Sequence, residues 1–347
     1  MRLKVIIALF VFVLTAFLFI AAAEKDANPY KPTYLKLEIP KGWPKPAKDI
    51  FVNNPLTAQG FELGKKLFYD GRLSKDGNFS CASCHQQFAA FATYEHDFSH
   101  GFNNQFTTRN APGIFNLAWV PLLHWDGGIN HIEVQPLAPL TAPNEMAENI
   151  DSVLKKLRKD TAYPKLFKAA FGTTLINCQR MLKALAQFTG SIVSYNSKYD
   201  KVQRGETVFT PAEQNGYSVF KTRCAGCHTE PLFTDNSFRN NGLGLNKDLK
   251  DYGRMRITGN KNDSLKFRVP SLRNVTLTFP YMHDGRYYSI GEAIDHYRSG
   301  IIITQPTVDS LLKNRITISV KEKNDLIYFL YTLTDTVLTK NPRFSLR

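Results

Sequence analysis

The apolar positions of this chain recur mostly at helical spacing. Between residues 181 and 193, apolar side chains return every three or four positions, as on one face of a helix. A shorter run of the same kind, at Val153, Leu154 and Leu157, follows Asn149 and Asp151, either of which can cap a helix. Strand-like alternation is scarce, and 21 glycines and 18 prolines indicate long loops. The pattern therefore predicts a mainly helical protein.

A continuous apolar segment lies near the N-terminus. Arg2 and Lys4 precede an uncharged run of 19 residues, 5–23, which ends in alanines. A basic start, an apolar stretch and small residues at its end are typical of an export signal, while the length approaches that of a membrane span. We therefore predict that residues 1–23 are a signal peptide or an N-terminal membrane anchor. Either interpretation places the rest of the chain outside the cytoplasm.

Composition narrows the class of protein without assigning a function. Of 347 residues, 43% are hydrophobic and 21% are charged, which excludes a disordered chain, a collagen and a disulfide-stapled miniprotein. The length suits two domains. Lys and Arg outnumber Asp and Glu by 44 to 30, and the formal net charge is +14. This charge suits an acidic protein or an anionic membrane, and no Arg-rich helix or basic-aromatic motif in the sequence indicates nucleic-acid binding.

Four of the five cysteines lie in two copies of one motif, C-x-x-C-H, at residues 81–85 and 224–228. Exported chains often oxidise such cysteines to disulfides, and C-x-x-C pairs also bind zinc. A histidine directly after the pair is the signature of c-type haem attachment, with the histidine as proximal iron ligand. The sequence predicts two covalent haems, with zinc as the alternative. The ligating residues are Cys81, Cys84 and His85, and Cys224, Cys227 and His228.

The remaining cysteine, Cys178, falls within the apolar helical pattern. A free cysteine in such a position behaves as a small hydrophobic residue. We predict that it is inert and buried on a helix.

The two halves of the chain share a longer pattern. Residues 111–128 and 269–286 align without a gap and match at Pro, Asn, Asp and Gly, and a second similarity precedes each cysteine motif. Such repetition favours duplicated units. We predict a mainly α protein of two cytochrome c-like haem domains related by duplication. The N-terminal haem domain is predicted at residues 24–200 and the C-terminal haem domain at residues 201–347.

These motifs resemble those of the bacterial di-haem cytochrome c peroxidases, a family that includes the methylamine-utilisation (MauG-like) branch with a tyrosine-ligated second haem. The resemblance extends from residue 45 to the C-terminus. It implies a periplasmic protein whose N-terminal haem is peroxidatic and whose C-terminal haem receives electrons. Besides the two haem motifs, the residues that carry it are Arg109-Asn110, Trp125-Asp126-Gly127, Glu145-Met146 and Pro280 to Gly285.

The resemblance implies roles for three residues near the peroxidatic haem. Glu145, which lies 20 residues after Trp125, matches the family's catalytic glutamate. A carboxyl over an apolar haem face has a raised pKa and can accept and return the proton of a peroxide. Gln135 matches a glutamine of the same pocket, and Trp125 matches a tryptophan that relays electrons between the haems. Without the resemblance, these residues read as a surface glutamate, an ordinary polar residue and a core tryptophan.

The distal ligand of the first haem has three candidates. In many family members a loop histidine binds the peroxidatic iron at rest, and His100 occupies the corresponding loop. His96 and His124 are nearby alternatives, and a solvated loop histidine is the plain structural interpretation.

The distal ligand of the second haem separates the branches of the family. The peroxidases place a methionine 17 residues after the position of Pro280, where this chain has Tyr297. The methylamine-utilisation branch has a tyrosine there, and such a ligand favours ferric iron. The resemblance therefore implies Tyr297 as the ligand, with Met282 and His296 as alternatives.

Two further features follow from the resemblance. A calcium ion between the domains would be held by the side chain of Asn110 and the carbonyls of Thr278 and Pro280, which are suitable oxygen ligands. Arg109 and Arg273 are expected to pair with haem propionates.

Three functions remain open at this stage. The first is reduction of hydrogen peroxide to water, with electrons from a small c-type cytochrome or a cupredoxin that enter at the C-terminal haem and pass through Trp125. The second is MauG-like oxidation of a protein side chain, which Tyr297 favours. The third is a di-haem electron carrier, which needs neither Glu145 nor Gln135. We predict the first. The sequence leaves open whether the protein is tethered to the membrane or released, and whether it forms the homodimer that is common in the family.

Overall fold

The computed structural model describes residues 30–46 and 48–346 of the chain. The predicted signal peptide or anchor, residues 1–23, lies outside the described residues. Across those two ranges, no helix combines the length and the apolar character that a membrane crossing needs.

The described residues form a mainly helical structure, as predicted. Two short strands, β1 (Phe238–Arg239) and β2 (Phe267–Arg268), pair antiparallel with Phe238 opposite Arg268. The helices are α1 Ala58–Phe68, α2 Cys81–Cys84, α3 Leu137–Thr141, α4 Ile150–Lys159, α5 Tyr163–Phe171, α6 Cys178–Gly190, α7 Lys198–Gln203, α8 Pro211–Arg223, α9 Met255–Thr258, α10 Ile290–Asp295, α11 Val320–Tyr331 and α12 Thr336–Lys340.

The two helices predicted from periodicity are both present. The side chain of Asn149 accepts a hydrogen bond from the backbone N–H of Asp151, so α4 begins at Ile150. The run after residue 181 lies in α6, which Asn177 caps in the same way. Cys178 is the first residue of α6 and is half-buried, so the prediction of its helix is confirmed and that of full burial is not.

Two hydrophobic cores organise the chain. The first is built mainly by residues between 61 and 192, and the second by residues between 199 and 333. Leu338 and Phe344, which follow the second core in sequence, pack into the first. The C-terminal segment therefore returns to the N-terminal half, and the boundary at residue 200 stays a prediction.

Each half contains a pair of helices in close contact at a glycine. A Cβ added to Gly64 of α1 would lie 2.0 Å from the carbonyl oxygen of Ala184 in α6. A Cβ added to Gly216 of α8 would lie 1.9 Å from the carbonyl oxygen of Asp325 in α11. Only glycine allows this approach. The repeated crossing supports a duplication, which stays a prediction.

Reciprocal backbone hydrogen bonds join the two halves. The N–H of Asn110 donates to the carbonyl of His283 at 2.9 Å, and the N–H of Arg268 donates to the carbonyl of Trp125 at 2.7 Å. In the gapless alignment of the repeat, Asn110 corresponds to Arg268 and Trp125 to His283. Each half therefore uses the same pair of positions to form a backbone hydrogen bond with the other half. This junction lies beside the cavity at the second haem motif, which is described below.

Candidate haem sites and the junction between them

The first haem motif is presented by a short helix with an oriented histidine. Cys81 and Cys84 lie on α2, and Nδ1 of His85 is 2.9 Å from the carbonyl oxygen of Phe91. With Nδ1 donating to a carbonyl, Nε2 is left as the ligand atom for a metal. Phe91 is fully buried with φ of 59°, an unusual conformation for an aromatic residue. A strained backbone at this position fits a functional site.

The second motif repeats this arrangement. Cys224 directly follows α8, and Nδ1 of His228 lies 3.2 Å from the carbonyl oxygen of Phe233 and 3.1 Å from that of Pro270. Phe233 is also fully buried, with φ of 56°. Sequence reasoning missed both phenylalanines, because they act through their backbones. The one available signal was an aromatic residue five or six positions after each motif histidine.

A cavity that is partly open to solvent adjoins the second motif. Cys224, Cys227 and His228 line it together with Trp125. A flat apolar macrocycle attached to the two cysteines fits such a wall, so the donor set and the surroundings suit a covalent haem. Apolar side chains from both halves of the chain form much of the rest of the cavity wall, among them Phe115, Leu117, Val120, Leu272, Val275 and Ile294.

Tyr297 lines the same cavity as His228. It lies in a π-helical turn, His296–Gly300, a rare conformation that is frequent at functional sites. Burial raises the pKa of its hydroxyl, and a hydrogen bond from the Asn241 side chain opposes that rise. The phenol and both attachment cysteines therefore line one cavity.

The two alternatives to Tyr297 differ in position. Met282 also lines the cavity, and its Sδ accepts a hydrogen bond from the side-chain amide of Asn241 at 3.4 Å. His296 is buried, with Nε2 3.0 Å from the carbonyl oxygen of Asn241 and Nδ1 3.3 Å from the hydroxyl of Tyr287. Both ring nitrogens of His296 are engaged, which leaves Tyr297 and Met282 as the side chains that face the cavity.

Glu145 lies beside the first haem motif. Burial raises the pKa of its carboxyl. Burial also raises the pKa of the Cys84 thiol, a hydrogen bond with the Ser99 side chain opposes that rise, and the charge of Glu145 adds to it. The backbone N–H of Phe102 donates to the carbonyl of Glu145 at 2.8 Å, and a Cβ on Gly101 would lie 2.2 Å from the carbonyl oxygen of Asn144. These contacts hold the loop of His100 against the segment that carries Glu145.

Gln135 contacts His124 rather than His100. Its Nε2 lies 3.4 Å from Nε2 of His124, the residue before Trp125. Burial lowers the pKa of His124. Burial likewise lowers the pKa of His85, and the charge of His124 adds to that shift. The structure thus brings His124, Gln135 and the first proximal histidine into one neighbourhood.

His100 is exposed, and its ring packs at 5.2 Å from that of His96 and 4.7 Å from that of Phe106. The distances are between ring centroids. Its predicted role as a ligand stays a prediction.

Trp125 is buried at the junction, with 9% of its surface exposed. Its Nε1 donates a hydrogen bond to the carbonyl of Asn110 at 2.8 Å, which fixes the orientation of the indole. Trp125 therefore belongs both to the wall of the second cavity and to the segment of His124.

The three predicted calcium ligands, Asn110, Thr278 and Pro280, all line this cavity. The side-chain amide of Asn110 donates to the carbonyls of His96 and Asp97 at 3.1 and 3.3 Å, which leaves its oxygen for a cation. Among the described residues, no group of three or more His, Cys, Asp or Glu is arranged to hold a metal. Calcium would depend on amide and carbonyl oxygens, and the site stays a prediction.

Both arginines predicted to bind a propionate form ion pairs with aspartates. Arg109 binds Asp251 and Asp126, both with contacts of 2.6 Å. Arg273 is fully buried and binds both carboxylate oxygens of Asp200 at 2.8 and 2.9 Å. The aspartates neutralise these guanidinium groups, and the propionate contacts of both arginines stay predictions.

Comparisons with known proteins agree with this geometry. Residues 58–208 match the family model described as di-haem cytochrome c peroxidase. The methylamine utilization protein MauG of Methylorubrum extorquens is 34% identical over 321 residues, which cover 90% of this chain and 88% of that protein. Cytochrome c551 peroxidase of Nitrosomonas europaea is 33% identical over 294 residues, which cover 84% of each.

A solved structure extends the similarity to three dimensions. The crystal structure of a MauG-like protein associated with microbial copper homeostasis has a TM-score of 0.80 and 34% identity, and the match covers 90% of this chain and 99% of that one. Identity of this level over this length, together with the two haem motifs, leads to one conclusion: the chain belongs to the di-haem cytochrome c peroxidase family, and this membership implies two c-type haems.

Proposed function

We propose that this protein is a periplasmic peroxidase that reduces hydrogen peroxide to water with electrons from a small c-type cytochrome or a cupredoxin. The observation that carries the proposal is the carboxyl of Glu145, which lies beside the first haem motif and has a raised pKa. A plain electron carrier needs no buried acid there. Family relatives named as peroxidases support the same activity.

The chain's own part in this chemistry is to move a proton. A haem bound at Cys81, Cys84 and His85 supplies an iron at which the O–O bond of a peroxide can be broken. Cleavage to water requires a proton to pass from the inner to the outer peroxide oxygen. The carboxylate of Glu145 accepts that proton and returns it, and burial, which raises the pKa of this carboxyl, strengthens its hold on the proton. Gln135 and His124 supply polar groups to the same pocket.

Electrons enter, in this proposal, at the C-terminal haem and reach the N-terminal haem through Trp125. Support comes from the position of the indole, which lines the second cavity and directly follows His124 of the first pocket. The net charge of +14 suits an acidic donor, because opposite charges accelerate encounter.

The proposed test is the substitution Glu145→Gln. The amide keeps the shape of the side chain but cannot accept the proton, so we expect peroxide turnover to fall by about 100-fold or more. Haem content, measured as the pyridine haemochrome, should remain at two per chain. Glu62→Gln is the matched control, because that side chain is 57% exposed on α1. Turnover above a tenth of wild type in the Glu145 variant would contradict the assigned role.

Tyr297 favours a second candidate, the oxidation of a protein side chain. Tyr297 shares the second cavity with Cys224 and Cys227, and the methylamine-utilisation branch has a tyrosine ligand at this position. The two candidates differ in what peroxide consumption requires. Continuous turnover of peroxide with a reduced cytochrome favours the peroxidase. Consumption that stops after about one equivalent, with the cytochrome left reduced, favours the second candidate.

A further inference from the structure

Arg268 is a half-buried cation in the wall of the second cavity. Its side chain lines the cavity together with Trp125 and His228, and burial lowers its pKa to about 10. Among the described residues, no carboxylate oxygen lies within 4.0 Å of its guanidinium nitrogens. The guanidinium is therefore desolvated without a counter-ion from the chain.

Two other arginines of the same wall show the contrast. Arg239 binds Asp235 and Asp309, both at 2.8 Å, and Arg273 binds Asp200 at 2.8 Å. A buried charge is costly unless an opposite charge and hydrogen bonds compensate it. Arg268 is the half-buried arginine of this wall for which the described residues supply no such partner.

The backbone fixes where Arg268 presents its charge. Its N–H donates to the carbonyl of Trp125 at 2.7 Å, and its Nε approaches the carbonyl oxygen of His124 at 3.5 Å. It lies on β2, opposite Phe238. Burial lowers the pKa of His124 most strongly, and the charge of Asp126 raises it. The charges of Arg109 and Arg268 lower it further. The guanidinium therefore stands at the junction of the two haem neighbourhoods.

The haem expected in this cavity carries negative charges that could pair with Arg268. A c-type haem bears two propionate carboxylates, and a guanidinium binds a carboxylate through two parallel hydrogen bonds. We propose that Arg268 binds a haem propionate at the junction between the halves, in the role that the sequence suggested for Arg109 and Arg273. The inference depends on the haems of the family and not on the proposed peroxidase activity.

The test is potentiometric titration of both haems in the purified holoprotein, for wild type, Arg268→Gln and Arg268→Lys. A nearby positive charge favours the ferrous state, so its loss should lower one midpoint potential. We expect about a tenfold change in that reduction equilibrium constant, which is 59 mV for a one-electron couple. The released propionate should also make that midpoint depend on pH near neutrality. The haem whose midpoint moves identifies the one that carries the propionate.

Two controls separate this interaction from a general effect of charge or folding. Arg256→Gln removes the same charge from a side chain that is 58% exposed and lies 3.8 Å from Asp251, and we expect no shift. Arg268→Lys keeps the charge, so its midpoint potential should fall by less than half of the decrease seen in Arg268→Gln. The proposal is overturned when neither midpoint moves in Arg268→Gln, or when Arg256→Gln produces an equal shift.

A measurement on Arg268→Lys that is independent of potential covers the case in which Arg268→Gln fails to bind haem. Propionate bending bands in the resonance Raman spectrum report hydrogen bonding to the carboxylate. We expect one of these bands to shift in Arg268→Lys, because an ammonium group cannot form the two parallel bonds. An unchanged spectrum in that variant would exclude the contact.

Discussion

At residue 124 the first half of the chain has an imidazole where the second half has the thioether of Met282. Both residues have a positive φ, 67° and 75°, and both precede a D-G turn by two positions. The alignment therefore pairs His124, which contacts Gln135, with Met282, which lines the second cavity. Among the three candidate histidines, His124 is in contact with Gln135 at 3.4 Å.

We expect His124→Phe to alter the electron spin resonance spectrum of the ferric N-terminal haem. The reason is that His124 contacts Gln135 and influences His85 through its charge. His100→Ala is the comparison, because His100 is exposed and packs on His96 and Phe106. An altered spectrum in the His100 variant, with none in the His124 variant, would restore His100 as the distal histidine.

Arg273→Leu should destabilise the protein by about 3–5 kcal/mol, because Asp200 would then be buried without its partner. Thermal or urea unfolding of the holoprotein measures this free energy. Arg298→Leu is the control, since that side chain is 30% exposed and pairs with a half-exposed Asp295. A loss below about 1 kcal/mol, typical of a surface ion pair, would show that the buried pair contributes little.

The same ion pair gives a pH dependence of stability. Burial raises the pKa of Asp200, but the hydrogen bonds and charge of Arg273 outweigh it, so the folded-state pKa lies below the ordinary value of about 3.9. The stabilisation is therefore present above pH of about 4 and is lost as the pH falls through the lower folded-state pKa. Acid unfolding of Arg273→Leu should lack this component, and parallel acid titrations of the two proteins would detect it.

At the scale of helices, the two glycine crossings set the distance between α1 and α6 and between α8 and α11. Gly216→Ala places a methyl group against the carbonyl oxygen of Asp325, so the helices must separate. We expect a loss of about 1–3 kcal/mol in the free energy of unfolding, and a similar loss for Gly64→Ala. Gly291→Ala in α10 is the control, because its nearest neighbouring atom would be 3.5 Å away.

In that control position, alanine is the better helix former, and we expect stability to be unchanged or to rise by up to about 1 kcal/mol. Equal losses at Gly216 and Gly291 would show that helix contact is not the cause.

What the sequence predicted at this scale was local. Helical periodicity and the cap at Asn149 located α4 and α6, since both signals lie within one turn or two. The haem motifs were readable because five adjacent residues carry them. The partners of the arginines were not readable, because Arg109 and Asp251 are 142 positions apart and Arg273 and Asp200 are 73 apart. The proposal that Arg268 binds a propionate depends on knowing those pairs.

At the scale of the whole molecule, the C-terminal segment joins the first core. Phe344 is 5% exposed there and packs against Phe61, Phe91 and Phe188. Phe344→Ala should therefore cost about 3–5 kcal/mol, although it lies beyond every residue of the second core. Hydrogen exchange should report the loss in α1 and α6. Leu346→Ala, at a position 60% exposed, should change stability by less than about 0.5 kcal/mol.

No periodic pattern could have shown this return, because the contact joins residues almost 300 positions apart and depends on the chain's complete path. If exchange in α1 and α6 is unaffected by Phe344→Ala, the tail merely covers the first core. The division of the chain into residues 24–200 and 201–347 would then describe its stability as well as its sequence.

The mutual backbone bonds of Asn110 with His283 and of Arg268 with Trp125 have a consequence for ancestry. A single unit would carry one unused donor and one unused acceptor at this edge, and a second copy turned by half a rotation would satisfy both. An isolated ancestral unit with this edge is thus already suited to self-association. Fusing the two copies into one polypeptide would keep the contact and let the copies diverge. In the proposed function, one copy then reacts with peroxide and the other supplies electrons.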